Sequence, residues 1–317
     1  MSGEQTAAVI DIGASAVRLV VAQLARGERP VVLEEASRGL LLGQDTFSIG
    51  RIGAATIDAA VRALDGFRHI MDGYQVSHVR AVATSAVREA ANADTFLDRV
   101  RVRAGLDVEI IDGSEESRLT YLAVREGLQN HVVLDVAHAA LVEVGGGSVG
   151  LTLLERGQPT QSGIYPLGAI RLRQRLATWH GPHEQRVRLL AQRVTNVIRD
   201  LVFETSLSRV TNMIALGSDM RFAARQAVKA DEQRIWEIPR EAFLSICAEV
   251  ETCDEEALVN RFRLSQVDAG DTRACPARLS RHSSGDHRGQ RHRSRRLAAC
   301  RSAGRARRIG DHRTESG

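Results

Sequence analysis

The 317-residue sequence is 43% hydrophobic but only 4% aromatic, so it holds enough apolar material for two domain cores, provided both are packed from aliphatic side chains. No window approaches the roughly 18 uninterrupted apolar residues of a membrane span, and no N-terminal stretch has a signal-peptide layout, so a soluble cytoplasmic protein is expected. The net charge of +4 is uneven: residues 268–317 hold 13 Arg against 5 acidic residues, which leaves the body with 30 basic and 34 acidic side chains.

From the N-terminus, "AAVIDIGASAVRLVVAQLARGERPVVLEEAS" reads as strand, glycine turn, strand, short turn, strand. A helical pattern over Ile52–Met71, a strand "VRAVAT", a helix from Asp94 to Val102, a strand "VEIID" and a helix from Ser114 to Gly127 follow. The opening layout then returns in "AALVEVGGGSVGLTLLERGQPTQSGIYPLG". Amphipathic helices over Ile170–Trp179 and Glu184–Leu207, a strand "NMIAL" and a helix near Arg221–Val228 come after it. Strands alternating with helices imply α/β units with partly parallel sheets, and two such units imply two domains with a cleft between them. The boundaries fall at 1–130, 131–269 and a tail over 270–317.

Asp11 and Glu143 occupy the same place in the two repeats, each just before a glycine turn. Such a turn exposes backbone N–H groups without Cβ obstruction, as a phosphate needs, and a preceding carboxylate suits a divalent cation. A GGGS between strands also reads as a bulge or tight hairpin. The pairing of two carboxylate-glycine hairpins weighs against that.

The stretches "VIDIGASAVRLVV", "RAVATSAVREAANADTFL", "VEIIDGSEESRLTYLAV", "LVEVGGGSVGL" and "IYPLGAIRLRQRL" resemble, in order and spacing, the exopolyphosphatase and guanosine pentaphosphate phosphohydrolase family. The resemblance covers Ala7 to Ala269. It implies a two-domain actin-like (ribonuclease H-like) ATPase fold of the α/β class. It also implies hydrolysis of the terminal phosphoanhydride of inorganic polyphosphate, or of the 5′ phosphate of guanosine pentaphosphate, with Mg²⁺ in the cleft. Glu116 matches the family's catalytic base, although a glutamate in a first helical turn is also what the helix dipole favours. Thr84, Ser85 and Arg88 are suited to phosphate contact; the plainer reading of Arg88 is an ion pair with Glu89 or another carboxylate. Gly13, Ser15, Gly145, Gly146, Gly147 and Ser148 would cradle phosphate, and Asp11 and Glu143 would hold Mg²⁺. No membrane or specific nucleic-acid partner is implied, and a homodimer stays open.

Three positions depart from the pattern. Gly150 stands where the family usually has a glutamate, Ala14 and Ala16 soften the first turn, and Asp219 and Met220 follow a later glycine turn where small residues are usual. Two rival readings therefore stay in view: a polyphosphate- or nucleotide-binding protein without turnover, and an ATP-dependent kinase or ATPase of the same fold.

The tail has no Phe, Tyr, Trp or Lys and no hydrophobic period, so it is expected to be disordered. An RNA-binding arginine arm is one reading. Read one base out of phase near Gly270, however, a permitted coding of the tail gives an apolar helix end, a glycine turn and an apolar strand. Those are the pieces with which the family closes its second domain, so the tail reads as out of frame and the second domain as incomplete. Cys247, Cys253, Cys275 and Cys300 show neither CxxC nor zinc spacing, which argues against a disulfide framework or structural metal.

Overall fold

The computed structural model describes residues 5–128, 138–204, 206–228, 235–252 and 296–300. The first unit opens with β1 (Gln5–Ile12), β2 (Ala16–Leu24) and β3 (Val31–Gly39), an antiparallel run. It continues through α1 (Leu42–Ile49), α2 (Ala54–Gly73), β4 (His78–Ala83), α3 (Ser85–Arg88), α4 (Ala93–Ala104) and β5 (Val108–Ile110). The sheet order is β3-β2-β1-β4-β5, with β4 parallel to β1 and β5 parallel to β4. Alternation along β1 sends Ala8, Ile10 and Ile12 into the core, where α2 lays down Ile57, Ala60, Leu64, Phe67 and Met71 at helical spacing. The same alternation turns Asp11 to the opposite face, which is how an acidic residue sits in the middle of an apolar strand.

The second unit contains α5 (Gly113–Gly127), β6 (His138–Val144), β7 (Val149–Glu155), β8 (Gln158–Tyr165), α6 (Ala169–Thr178) and α7 (His183–Glu204). A 3₁₀ turn at Ser206–Arg209, β9 (Asn212–Leu216), α8 (Ser218–Val228), β10 (Ile235–Pro239), α9 (Arg240–Thr252) and β11 (Arg296–Cys300) complete it. The order β10-β11-β9-β6-β7-β8 repeats the first sheet: β9 runs parallel to β6, and β11 parallel to β9. Met220 is buried beside Val144 in this unit's core rather than facing a ligand.

Two expectations are corrected by packing. The helix α5, assigned by sequence position to the first domain, buries Tyr121 and Val124 against Ala139, Leu141, Leu154 and Ile214 of the second sheet. The apolar stripe of α5 decides its domain, so by packing the units divide just before Gly113; residue 130 itself lies outside the described residues. Within the tail, expected to carry no regular structure, Arg296–Cys300 forms β11 in the place that β5 holds in the first sheet. The run "RLAAC" is short and little charged, and β9 and β10 offer it pairing on both sides. The rest of 270–317 lies outside the described residues. No helix among those described is long and apolar enough to cross a membrane.

Candidate active site

The two hairpins are built alike. In the first, Gly13 N–H donates to the Ala16 carbonyl at 3.0 Å; in the second, Gly145 N–H donates to the Ser148 carbonyl at 3.0 Å. Asp11 lies opposite Arg18 across β1–β2, and Arg18 Nη1 reaches Asp11 Oδ2 at 3.1 Å. Glu143 lies opposite Gly150 across β6–β7, and Thr120 Oγ1–H donates to its Oε2 at 2.7 Å.

The carbonyls of the second glycine loop are held from behind by the start of α6. Ala169 N–H donates to Gly145 O and Arg171 N–H to Gly146 O, both at 3.2 Å, and Arg171 Nε–H donates to Gly147 O at 2.7 Å. Across a planar trans peptide the next N–H points the other way. The amides of Gly146, Gly147 and Ser148 are thus turned away from α6, with no partner among the described residues. The first loop is held similarly, by Gly43 N–H on Ala14 O at 2.9 Å and Leu40 N–H on Ser15 O at 3.0 Å.

Packing by itself accounts for most of these glycines. None of Gly145, Gly146 and Gly147 has positive φ. A Cβ on Gly147 would lie 2.2 Å from Ser85 Oγ and 2.9 Å from Phe47 Cζ, and one on Gly146 2.9 Å from Ile170 Cδ1. Behind them, a Cβ on Gly168 would meet Gly147 C at 2.3 Å and both C and O of Gly146 at 2.4 Å. The loop is clamped between α6 and the first domain.

Two adjacent glutamates on α5 diverge. Asp112 caps the helix, its Oδ1 accepting Glu115 N–H at 2.8 Å. Glu115 turns outward, where hydrogen bonds from Arg118 at 2.6 and 2.9 Å pull its pKa down to about 2. Glu116 turns inward toward Arg88, whose Nη2 lies 3.5 Å from Oε2. At that separation the contact is an ion pair, and Oε2 is buried without a hydrogen-bond partner. Burial pushes the Glu116 carboxyl above its usual range; Arg88 opposes this, and the nearby carboxylates of Glu143 and Asp11 reinforce it. Asp11 and Glu143 are also pushed up, first by burial, with Arg18 opposing at Asp11 and Thr120 at Glu143. The two adjacent carboxyls are thus shifted in opposite directions.

Beside this group opens a cavity of about 430 Å³ whose walls include Ser85, Arg88, Ser114, Ser117, Ser148 and Arg171. Of the residues singled out by sequence, Ser85, Arg88 and Ser148 line it. Asp11, Gly13, Ser15, Thr84, Glu116, Glu143, Gly145, Gly146 and Gly147 do not form its wall. Ser15 Cβ lies 3.5 Å from the position a Gly146 Cβ would take, so that residue serves the contact between the loops. Thr84 precedes α3 and accepts Arg88 N–H at its carbonyl, 2.9 Å. Arg88 pairs with Glu116 rather than Glu89, and Nη1 also donates to Ile111 O at 2.5 Å. Sequence reasoning missed Ser114 and Ser117, three apart on the face of α5 that meets the cavity, a spacing that could have betrayed them. It also missed Arg171, whose partners lie far away in the chain.

Among the described residues no group of three or more His, Cys, Asp and Glu forms a ready metal cluster. Asp11 and Glu143 nevertheless fit Mg²⁺, which takes one or two protein carboxylates and completes its shell with water and phosphate oxygens. Both are oxygen donors; Asp11 already holds one cation, Arg18, at 3.1 Å.

The sequence matches the Ppx/GppA phosphatase family over residues 20–276. Exopolyphosphatase 1 of Mycobacterium leprae is 32% identical over 192 residues, which are 61% of this chain and 56% of that protein. Exopolyphosphatase 2 of Mycobacterium tuberculosis is 28% identical over 259 residues, 76% of this chain and 78% of that one. The chain thus spans little more than half the length of the first of these relatives. The crystal structure of an Aquifex aeolicus Ppx/GppA family member superposes with a TM-score of 0.70 at 24% identity, covering 88% of this chain and 89% of that one. An exopolyphosphatase from Cytophaga hutchinsonii gives 0.77 at 22%, over 93% and 94%. At these identities the structures attest a shared fold, the two-domain α/β architecture expected from the sequence.

Proposed function

Because the chain belongs to the Ppx/GppA phosphatase family, we propose that it is a hydrolase releasing the terminal phosphoryl group of inorganic polyphosphate. The observation that carries this reading is the inward Glu116, a half-buried carboxylate with one buried, unpartnered oxygen, beside Arg88 and near the carboxylates of Glu143 and Asp11 that precede the two glycine turns. The terminal phosphoryl group sits against the Gly146, Gly147 and Ser148 amides, with Arg88 and the Ser85 and Ser148 hydroxyls on its other oxygens. Glu116 orients a water and takes its proton as the water oxygen bonds to phosphorus. The bridging P–O bond breaks, and the shortened polyphosphate leaves with the bridging oxygen. Asp11 and Glu143 would hold Mg²⁺, which supplies neutralisation of phosphoryl charge. The family match over residues 20–276 is to phosphatases, which is why hydrolysis is preferred to kinase chemistry.

A second reading, tight binding with little turnover, is favoured by one observation. Opposite Glu143 the chain has Gly150, and the space a side chain would take is bordered by Ile164 Cδ1, 3.2 Å from the position of its Cβ. Measuring phosphate release from polyphosphate, guanosine pentaphosphate and ATP with and without Mg²⁺, beside equilibrium binding of each, separates the readings. Mg²⁺-dependent release from polyphosphate is expected. Binding without release would replace the hydrolase reading by the second one.

Gly150→Glu should raise the Mg²⁺-dependent rate by adding a carboxylate beside Glu143, at a small loss of melting temperature because only the flexible tip of Ile164 must move. An unchanged rate with a markedly lower melting temperature would mean that Gly150 serves the backbone alone.

A further inference from the structure

Arg171 is a cation taken almost wholly out of solvent, 7% exposed, and its guanidinium is engaged both within its own unit and across the domain interface. Nη1 and Nη2 donate to Glu89 Oε2 and Oε1 at 2.7 and 2.6 Å, Nε donates to Gly147 O at 2.7 Å, and the plane lies on the Phe47 ring, 3.8 Å from its centroid. Glu89 directly follows Arg88, and Phe47 lies on α1 of the first unit, whereas Arg171 and Gly147 belong to the second. One planar group therefore ties the segment carrying Arg88 to the loop carrying the Gly147 and Ser148 amides. A bidentate fork with a stacked face fixes both distance and rotation, which a point charge cannot do.

We infer that Arg171 is a positioning residue for phosphoryl transfer: it sets the spacing between the two phosphate-holding walls so that both meet a single phosphoryl group. This rests on the hydrolase reading above. A surface ion pair could be lost with little effect, but here the contact reaches the loop itself through Gly147 O, and displacement of that loop by about 1 Å is enough to cost roughly 10²-fold in rate.

The test compares Arg171→Lys, Glu89→Gln and the reversed pair Glu89→Arg with Arg171→Glu. Lysine keeps charge and stem but loses the fork, so kcat for polyphosphate should fall by roughly 10–100-fold with KM changed far less. In Glu89→Gln the Nε bond to Gly147 survives, and the loss should be smaller. The reversed pair restores an ion pair but leaves nothing to donate to Gly147 O, so relative to Arg171→Glu alone it should recover melting temperature and not kcat. Wild-type kcat and KM in Arg171→Lys, or recovery of kcat together with stability in the reversed pair, would overturn the inference and leave a plain interdomain ion pair. If the unmodified protein releases no phosphate, the hydrolase reading fails by itself. Positioning is then judged by amide exchange at residues 169 and 171, whose N–H groups hold the loop: faster in Arg171→Lys than in Glu89→Gln supports it, equal rates refute it.

Discussion

Glu116→Gln is expected to slow phosphate release from polyphosphate by roughly 10²–10⁴-fold, the size of a general-base contribution, while leaving polyphosphate affinity nearly unchanged. The amide keeps the shape of the side chain but cannot take a proton from water. The same reasoning fixes two pH signs. Since the base must be ionised and burial holds its pKa above the ordinary 4.5, wild-type turnover should fall off on the acid side at a pH above that value. Between the ordinary and the raised pKa the folded state binds more protons than the unfolded one, so this group's contribution to stability declines as pH rises through that window. The net upward direction means that burial and the neighbouring carboxylates outweigh Arg88. Removing the charge should therefore not lower the melting temperature at neutral pH. Rate measurements across pH, with thermal melts at acid and neutral pH, check both signs, and near-normal turnover in the variant would remove Glu116 from the mechanism.

Gly168→Ala is the second large effect, and it acts through structure. The added Cβ would fall 2.3–2.4 Å from backbone atoms of Gly146 and Gly147, which cannot swing aside as a side-chain tip can. Overpacking of this kind costs about 1–3 kcal/mol, or about 2–12 °C of melting temperature for a domain of this size, and it should displace the phosphate loop as well. Gly66→Ala is the matched control. It lies inside α2 with nothing within 4 Å of the new Cβ, so the same change should stabilise by roughly 0.5–1 kcal/mol. Equal melting temperatures for Gly168→Ala and wild type would contradict the tight seat of α6 on the loop.

The hairpins were legible in sequence because they are local: a carboxylate, a glycine turn and β-branched runs with period two lie within a few residues of each other. The major helices were legible for the same reason. The helices α1 and α9 were not read; "LGQDTFSI" is only eight residues long, and its Phe47 is spent on Arg171 of the other unit. The domain of α5 was misread because sequence order cannot reveal which sheet receives Tyr121 and Val124. Glu116 could be picked out from its neighbourhood in "GSEESR", but its divergence from Glu115 depends on Arg118 outside and Arg88 inside. Arg171 looked like one more arginine on an amphipathic helix. Its meaning comes from Glu89, 82 residues away, and Phe47, further still.

The clamped glycine loop has a consequence for how such chains change under selection. Gly168 is needed because the backbone of Gly146 and Gly147 leaves no room for a methyl group, and Gly147 because Ser85 and Phe47 of the neighbouring domain leave none, whether or not a phosphate ever arrives. A lineage in which the chemistry had lapsed would still be held to glycine at these positions, since losing them unseats the domains first. Glu116 and the residue at 150 are under no such packing constraint and are free to drift once turnover no longer matters. The glycine signature is therefore a record of how the two halves dock, and positions 116 and 150 are the record of whether turnover is still selected.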